Sequence, residues 1–266
     1  VAEIIAISTN KGGVLKTSLT TNLAGVLSSE GSRVLIIDTD NQGNVALSFG
    51  MNPDNIELSI YDVLVDGLDP TEAIKNVHES IDILPANDDM SFFEFDVLSD
   101  SGKYSRPFSM LKKAFEKVDL NKWDYILLDS PPTLGLTQGN VLSFAHKVLI
   151  PFQPESYSMR SLTKILNAIN DFKESHNPGL EVLGVIPTLV DSRTTLHTEV
   201  LQECRKYAYK NDIKVFDTVI PRSVRFANSV AFERKPATLT EGKKNPLVKS
   251  YWNLYKEVME YGQKKA

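Results

Sequence analysis

The chain has 266 residues, 42% hydrophobic and 24% charged, with a formal net charge of −5. That length accommodates one large α/β domain more readily than two small ones, and the negative balance excludes a generally cationic nucleic-acid binder. One cysteine, Cys204, excludes an internal disulfide and agrees with a reducing compartment, and no apolar run reaches the ~18–20 residues needed to cross a bilayer.

The sequence opens on the apolar run Val1-Ala-Glu-Ile-Ile-Ala-Ile-Ser8 without a cationic leader, so the protein is expected to stay in the cytoplasm. Further short apolar runs follow, and buried strands are expected at 4–8, 34–37, 81–84, 125–128, 148–151, 182–186 and 215–219. Helical periodicity separates them near 16–29, 105–117, 156–175, 195–210 and 247–261. The irregular stretch 85–107 reads as a helix followed by a surface loop. Strands alternating with helices predict an α/β fold, a mostly parallel twisted sheet with helices on both faces. There is no internal repeat, low-complexity tract or linker, so residues 1–266 are expected to form a single domain.

Three strings at expected strand ends carry the chemistry. The first is Lys11-Gly12-Gly13-Val14-Leu15-Lys16-Thr17-Ser18, between a strand and a helix. Backbone N–H groups of such a glycine-rich turn, with the first helical turn behind them, surround a polyphosphate. Lys16 would meet the β/γ oxygens, and Thr17 would be a ligand of Mg²⁺. The second is Asp38-Thr-Asp40-Asn-Gln-Gly-Asn44, and the third Asp129-Ser-Pro-Pro-Thr-Leu-Gly135. A carboxylate at a strand's C-terminal end beside such a loop can orient water or support the metal.

Together these strings resemble the deviant Walker A (ParA/MinD) family of P-loop ATPases, and the resemblance covers essentially the whole chain. It implies ATP/ADP and Mg²⁺ as ligands, with Lys16 acting in cis and Lys11 reaching a partner's nucleotide in trans. It implies that Asp40 positions the attacking water and that Asp38 and Asp129 support the metal, Asp129 through water. Leu15 departs from the family's pattern, which has glycine at that position. A left-handed leucine costs roughly 1–2 kcal/mol, so either the loop has adapted or nucleotide binding is weakened.

The segments 58–64, 151–156 and 219–225 look like the ParA branch in particular, whose relatives place the Ile-Pro-Arg turn beside adenine. Pro221 and Arg222 are therefore expected at the base. Residues 220–249 carry seven Lys/Arg against two Glu, a local charge of +5, whereas residues 1–219 carry −11. Such asymmetry suits an anionic partner. Arg222, Arg225, Lys235, Lys243 and Lys244 are expected to face DNA, with Arg193 as a further candidate there or at an interface.

The resemblance implies a nucleoid-associated partition ATPase of plasmid or chromosome. It would dimerise on ATP, bind DNA non-specifically, hydrolyse slowly and be stimulated by a centromere-binding ParB-type protein. No amino-terminal helix-turn-helix domain is expected. Two alternatives stay open: a nucleotide-responsive DNA-binding scaffold impaired in hydrolysis by Leu15, and a MinD-like regulator at the membrane. The last helix reads as docked on the body, because Glu257 and Glu260 temper its charge. Four scattered histidines give no zinc-ligand spacing.

Overall fold

The computed structural model describes residues 2–191, 193–222, 229–246 and 248–265, with side chains through residue 262. Its strands are β1 (Glu3–Ile7), β2 (Val34–Asp38), β3 (Lys75–His78), β4 (Ile81–Leu84), β5 (Tyr125–Asp129), β6 (Lys147–Phe152) and β7 (Glu181–Pro187). They form one sheet in the order β3-β4-β2-β5-β1-β6-β7. All neighbours pair in parallel except β3 with β4, an antiparallel edge. The helices are α1 (Lys16–Ser29), α2 (Asn44–Ser48), α3 (Pro70–Ala73), α4 (Phe93–Ser99), α5 (Met110–Ala114), α6 (Leu136–Phe144), α7 (Ser158–Ser175), α8 (Thr195–Lys210), α9 (Ala237–Thr240) and α10 (Lys249–Lys265).

Alternation along the strands builds two cores. Ile4 and Ala6 of β1, Leu35 and Ile37 of β2, and Ile126 and Leu128 of β5 point to one face, where α4 to α8 pack. Ile5 and Ile7, Val34 and Ile36, and Leu127 point to the other, against α1, α9 and α10. Strands covered on both faces have no solvated side, which is why they read as continuous apolar runs.

The second layer is tightly keyed to the first helix. Asn22 of α1 accepts the Thr238 N–H at 3.1 Å, and the Thr238 hydroxyl donates to the Asn22 carbonyl at 2.9 Å. Gly25 permits this approach, because a Cβ there would lie 2.2 Å from Thr238 Oγ1. Ser18 and Tyr251 share a hydrogen bond at 3.2 Å. Tyr251, Trp252, Leu254 and Val258 of α10 are buried in this core, so the helix docks on the body as its sequence suggested. Among the described residues no helix is long and apolar enough to cross a membrane.

Several expected elements differ. Residues 215–219 form no regular strand; only the isolated bridges Val185↔Val215 and Thr188↔Ile220 mark that edge. The N–H groups of Asp217 and Thr218 turn instead to the Glu257 carboxylate, at 2.7 and 3.0 Å, which withdraws them from the ladder. The helix expected over 105–117 shrinks to a 3-10 turn (Pro107–Ser109) and α5. Sequence reading missed β3, a polar four-residue edge strand, and α6, whose all-round burial leaves no amphipathic period. The irregular stretch after β4 does contain a helix, α4, followed by a loop.

Candidate nucleotide and metal site

Strands β2, β5 and β1 lie side by side, so their three exit loops meet at the sheet's C-terminal edge, the edge where open α/β sheets bind ligands. The first loop carries two left-handed residues, Gly13 at φ 72° and Leu15 at φ 69°, ψ 28°. Leu15 thus adopts the conformation that favours glycine, and its side chain is half-buried against the α1 face of the core. Its carbonyl accepts the Leu19 N–H at 2.8 Å and starts α1. No side chain caps this helix, so its first N–H groups are left for an anion.

Lys16 is only 8% exposed. Its ammonium donates to the Lys11 carbonyl at 3.2 Å. Burial pushes the ammonium below the ordinary lysine value, against the opposing pull of Asp129 and Asp40. The Thr17 hydroxyl donates to Asp129 Oδ2 at 2.6 Å, and the Thr20 hydroxyl lies 2.9 Å from Oδ1. Asp129 is fully buried, and burial lifts its carboxyl to about 6 although both hydroxyls and Lys16 favour the charged form.

Asp38 stands directly beside Asp129 in the β2–β5 register. Burial first, and then the neighbouring Asp129, hold its carboxyl well above the usual range; the N–H groups of Asp40 (3.0 Å) and Val45 (3.1 Å) pull the other way. Asp40 is nearly buried and accepts the Gln42 N–H at 3.1 Å. Thr39 joins the two loops, donating through both its N–H (3.0 Å) and its hydroxyl (2.8 Å) to the Asp129 carbonyl.

Asp129 and Asp40 both act on the buried Lys16 ammonium, and Asp38 adds a third carboxyl beside Asp129, a set whose negative charge a bound cation would relieve. Among the described residues no group of three or more His, Cys, Asp or Glu forms a protein cage. One hydroxyl with carboxylates near it fits magnesium, which keeps several waters and takes much of its shell from phosphate oxygens. The left-handed loop, uncapped helix and buried lysine equally fit the polyphosphate that would supply them.

Lys11 turns away from this cluster. Its ammonium is 2.6 Å from Glu155 Oε2 and 3.2 Å from Ser158 Oγ, in the connection between β6 and α7. Gly12 has open space around its Cα, Val14 is buried, and Ser18 meets Tyr251. Pro221 and Arg222 are exposed just beyond the Thr188↔Ile220 bridge. Arg225 lies outside the described residues.

The proposed cationic face is partly neutralised within the chain. Arg193 forms a fork on Asp191, at 2.9 and 2.8 Å, and holds that carboxyl far below its usual range. Lys243 pairs with Glu30 and lies 4.3 Å over the Trp252 ring. Lys235 and Lys244 are exposed.

Sequence reading missed Thr20, Thr39, Glu155 and Ser158. Thr20 had a signal: it follows Thr17 by three residues, one turn along the same face of α1. Glu155 lay within the ParA-like segment 151–156, but no pattern joined it to Lys11, 144 residues away.

A family model described as an AAA domain matches residues 2–182. The sporulation initiation inhibitor protein Soj of Bacillus subtilis is 36% identical over 261 residues, covering 98% of this chain and 99% of that protein. This chain belongs to the ParA/Soj family of partition ATPases. The Myxococcus xanthus chromosome partitioning protein ParA is 35% identical, covering 98% of this chain and 89% of its own. Among solved structures, a cobyrinic acid a,c-diamide synthase from Mycobacterium smegmatis with bound ADP and magnesium superposes with a TM-score of 0.83. It is 30% identical, with 100% of this chain and 97% of that one covered. A ParA/Soj chain with this α/β sheet is a P-loop ATPase of chromosome-partitioning type.

Proposed function

We propose that this chain is a single-domain ATPase that hydrolyses ATP to ADP and phosphate slowly and dimerises around the nucleotide. The dimer binds DNA without sequence preference, in the cytoplasm at the nucleoid. The observation that carries this reading is the Lys16–Thr17–Asp129 cluster at the meeting point of three strand ends. Loop N–H groups and Lys16 hold the phosphates. Thr17, with Asp129 and Asp38 behind it, would hold magnesium, which supplies charge neutralisation on the transferred phosphoryl group. Asp40 orients water at the mouth of the site. Lys11, once released from Glu155, serves a partner's nucleotide.

Leu15 supports an active loop over an impaired scaffold, because it keeps the left-handed backbone and its N–H. The buried face of α10 favours a docked helix over a membrane anchor. Dimerisation doubles the cationic surface formed by Arg222, Lys235 and Lys244. Non-specific DNA affinity then follows dimerisation and falls steeply with salt. Arg193 and Lys243 contribute once DNA phosphates displace Asp191 and Glu30. A centromere-binding ParB-type protein is the expected stimulator.

ATP turnover and DNA binding of the wild type and Lys16→Ala, with and without magnesium, test the reading. Slow magnesium-dependent turnover lost in Lys16→Ala is expected, together with DNA binding only when ATP is present. DNA binding that ignores ATP would refute it.

A further inference from the structure

Helix α4 leaves an apolar stripe unpartnered. Phe92, Phe95 and Leu98 are 58, 73 and 63% exposed, and their three-residue spacing puts them on one face. Phe93 and Val97 of the same helix are buried in the core, so α4 is held firmly and the stripe is not a frayed end. Leu134, 44% exposed, precedes Gly135, which the Glu94 carboxylate of α4 approaches. Single exposed apolar residues are ordinary, but a contiguous group marks an interaction surface.

The surroundings of the stripe are acidic. Between residues 88 and 100 stand Asp88, Asp89, Glu94, Asp96 and Asp100, with no lysine or arginine. Among the described residues none of these five is in a salt bridge. Their hydrogen-bond partners are uncharged groups: Asp96 accepts the Tyr61 hydroxyl at 2.6 Å, Asp89 the Asn87 amide at 3.0 Å, and Asp100 the Lys103 backbone N–H at 3.0 Å. The Lys103 ammonium also acts on Asp100, without a salt bridge. The negative charge therefore reaches solvent around an apolar centre.

We propose that this face of α4 docks a basic amphipathic segment of another protein, its apolar residues on Phe92, Phe95 and Leu98 and its cations on the flanking carboxylates. Charge decides the occupant. Nucleic acid and anionic lipid are repelled, and a two-fold contact with a second copy would set acids against acids.

The face is also wired to the site. Glu94 accepts the Thr137 N–H at 3.4 Å at the start of α6, and its Oε1 fills the space where a Cβ on Gly135 would sit, 2.2 Å away. Gly135 ends the loop that begins at Asp129. Glu94 is thus a positioning residue through which docking shifts that loop and changes turnover. This second step rests on the proposed ATPase function; the docking itself does not.

The test uses a labelled synthetic peptide of lysine and leucine at helical spacing, with a glutamate–leucine counterpart, titrated by fluorescence anisotropy against the full chain and Phe95→Asp. The basic peptide is expected to bind the wild type, to lose at least about tenfold in affinity on Phe95→Asp, and the acidic peptide to stay free. The added charge of Phe95→Asp strengthens any purely electrostatic contact, so equal or tighter binding to the variant overturns the proposal. Phe95→Ser, with its fold checked by urea melting, should lose affinity too. Sedimentation of the chain alone is the second arm: self-association abolished by Phe95→Asp would give the face to a second copy instead. ATP turnover is measured in parallel: without peptide it is equal in wild type and Phe95→Asp, and the basic peptide should change it in the wild type alone. Unchanged turnover with peptide bound overturns the coupling through Glu94. Peptide binding without turnover would sink the ATPase reading and leave the docking face standing.

Discussion

Replacing Leu15 asks whether the loop's backbone, more than its side chain, sets what the position tolerates. At φ 69° and ψ 28° a Cβ crowds its own carbonyl, costing about 1–2 kcal/mol. Glycine removes that strain but adds about 0.5–1 kcal/mol of backbone entropy to the unfolded chain relative to alanine. Leu15→Ala and Leu15→Gly lose the same contacts beyond Cβ, so the difference between them isolates the backbone. The glycine variant should be the more stable by about 1 kcal/mol, or a melting temperature higher by about 2–4 °C in a chain of this size. Paired urea melts at one pH read this directly. Both variants keep the loop N–H groups, so ATP affinity should differ little between them. An alanine variant as stable as the glycine variant would refute the reasoning, because the loop would then have another conformation available.

Other outcomes follow from the buried charges and their partners. The folded state holds the Asp129 carboxyl near 6 against an ordinary 3.8, so it binds the proton more tightly than the unfolded chain. The ligand-free protein should therefore lose stability from this site as pH rises from about 4 to 6. Asp129→Asn should raise the urea midpoint above that window and have little effect below it; an unchanged midpoint at pH 7.5 would count against the buried charge. Thr20→Val removes a buried hydroxyl from a carboxylate and should cost about 1–3 kcal/mol by urea melting. Lys11 and Glu155 are both partly exposed, so Glu155→Gln should change stability by less than about 1 kcal/mol. The same change should ease ATP-dependent dimerisation, read by light scattering at several protein concentrations. Lys244→Ala should weaken DNA binding alike for all sequences and flatten the dependence of log K on log salt by about one unit.

The parts of this fold that were legible in the sequence are those where one interaction dominates. Runs such as Val34-Leu-Ile-Ile-Asp38 announce strands covered on both sides, and the glycine-rich string before Lys16 announces a turn built for an anion. Three carboxylates at strand ends could be named before their neighbours were known. Illegible parts depend on contacts between distant residues. Glu257 takes the N–H groups of Asp217 and Thr218 away from the sheet, and no local pattern at 215–219 announces that loss. The partner of Lys11 was hidden for the same reason. The charge count over residues 220–249 located a cationic segment, but it could not reveal that Lys243 is already paired with Glu30.

The grip of Thr238 on Asn22 spans 216 residues of chain with two hydrogen bonds. The strand before the phosphate loop is likewise bordered by β5 and β6, not by its successor in the chain. A ribosome making this protein therefore releases the phosphate loop long before its supports. Until β5, β6 and α9 have emerged, α1 lacks both the sheet beneath it and the cover above it. This site is completed only as synthesis approaches residue 251, where Tyr251 meets Ser18. The helix behind the phosphate loop therefore gains its last support only after the cationic segment 220–249 has been made.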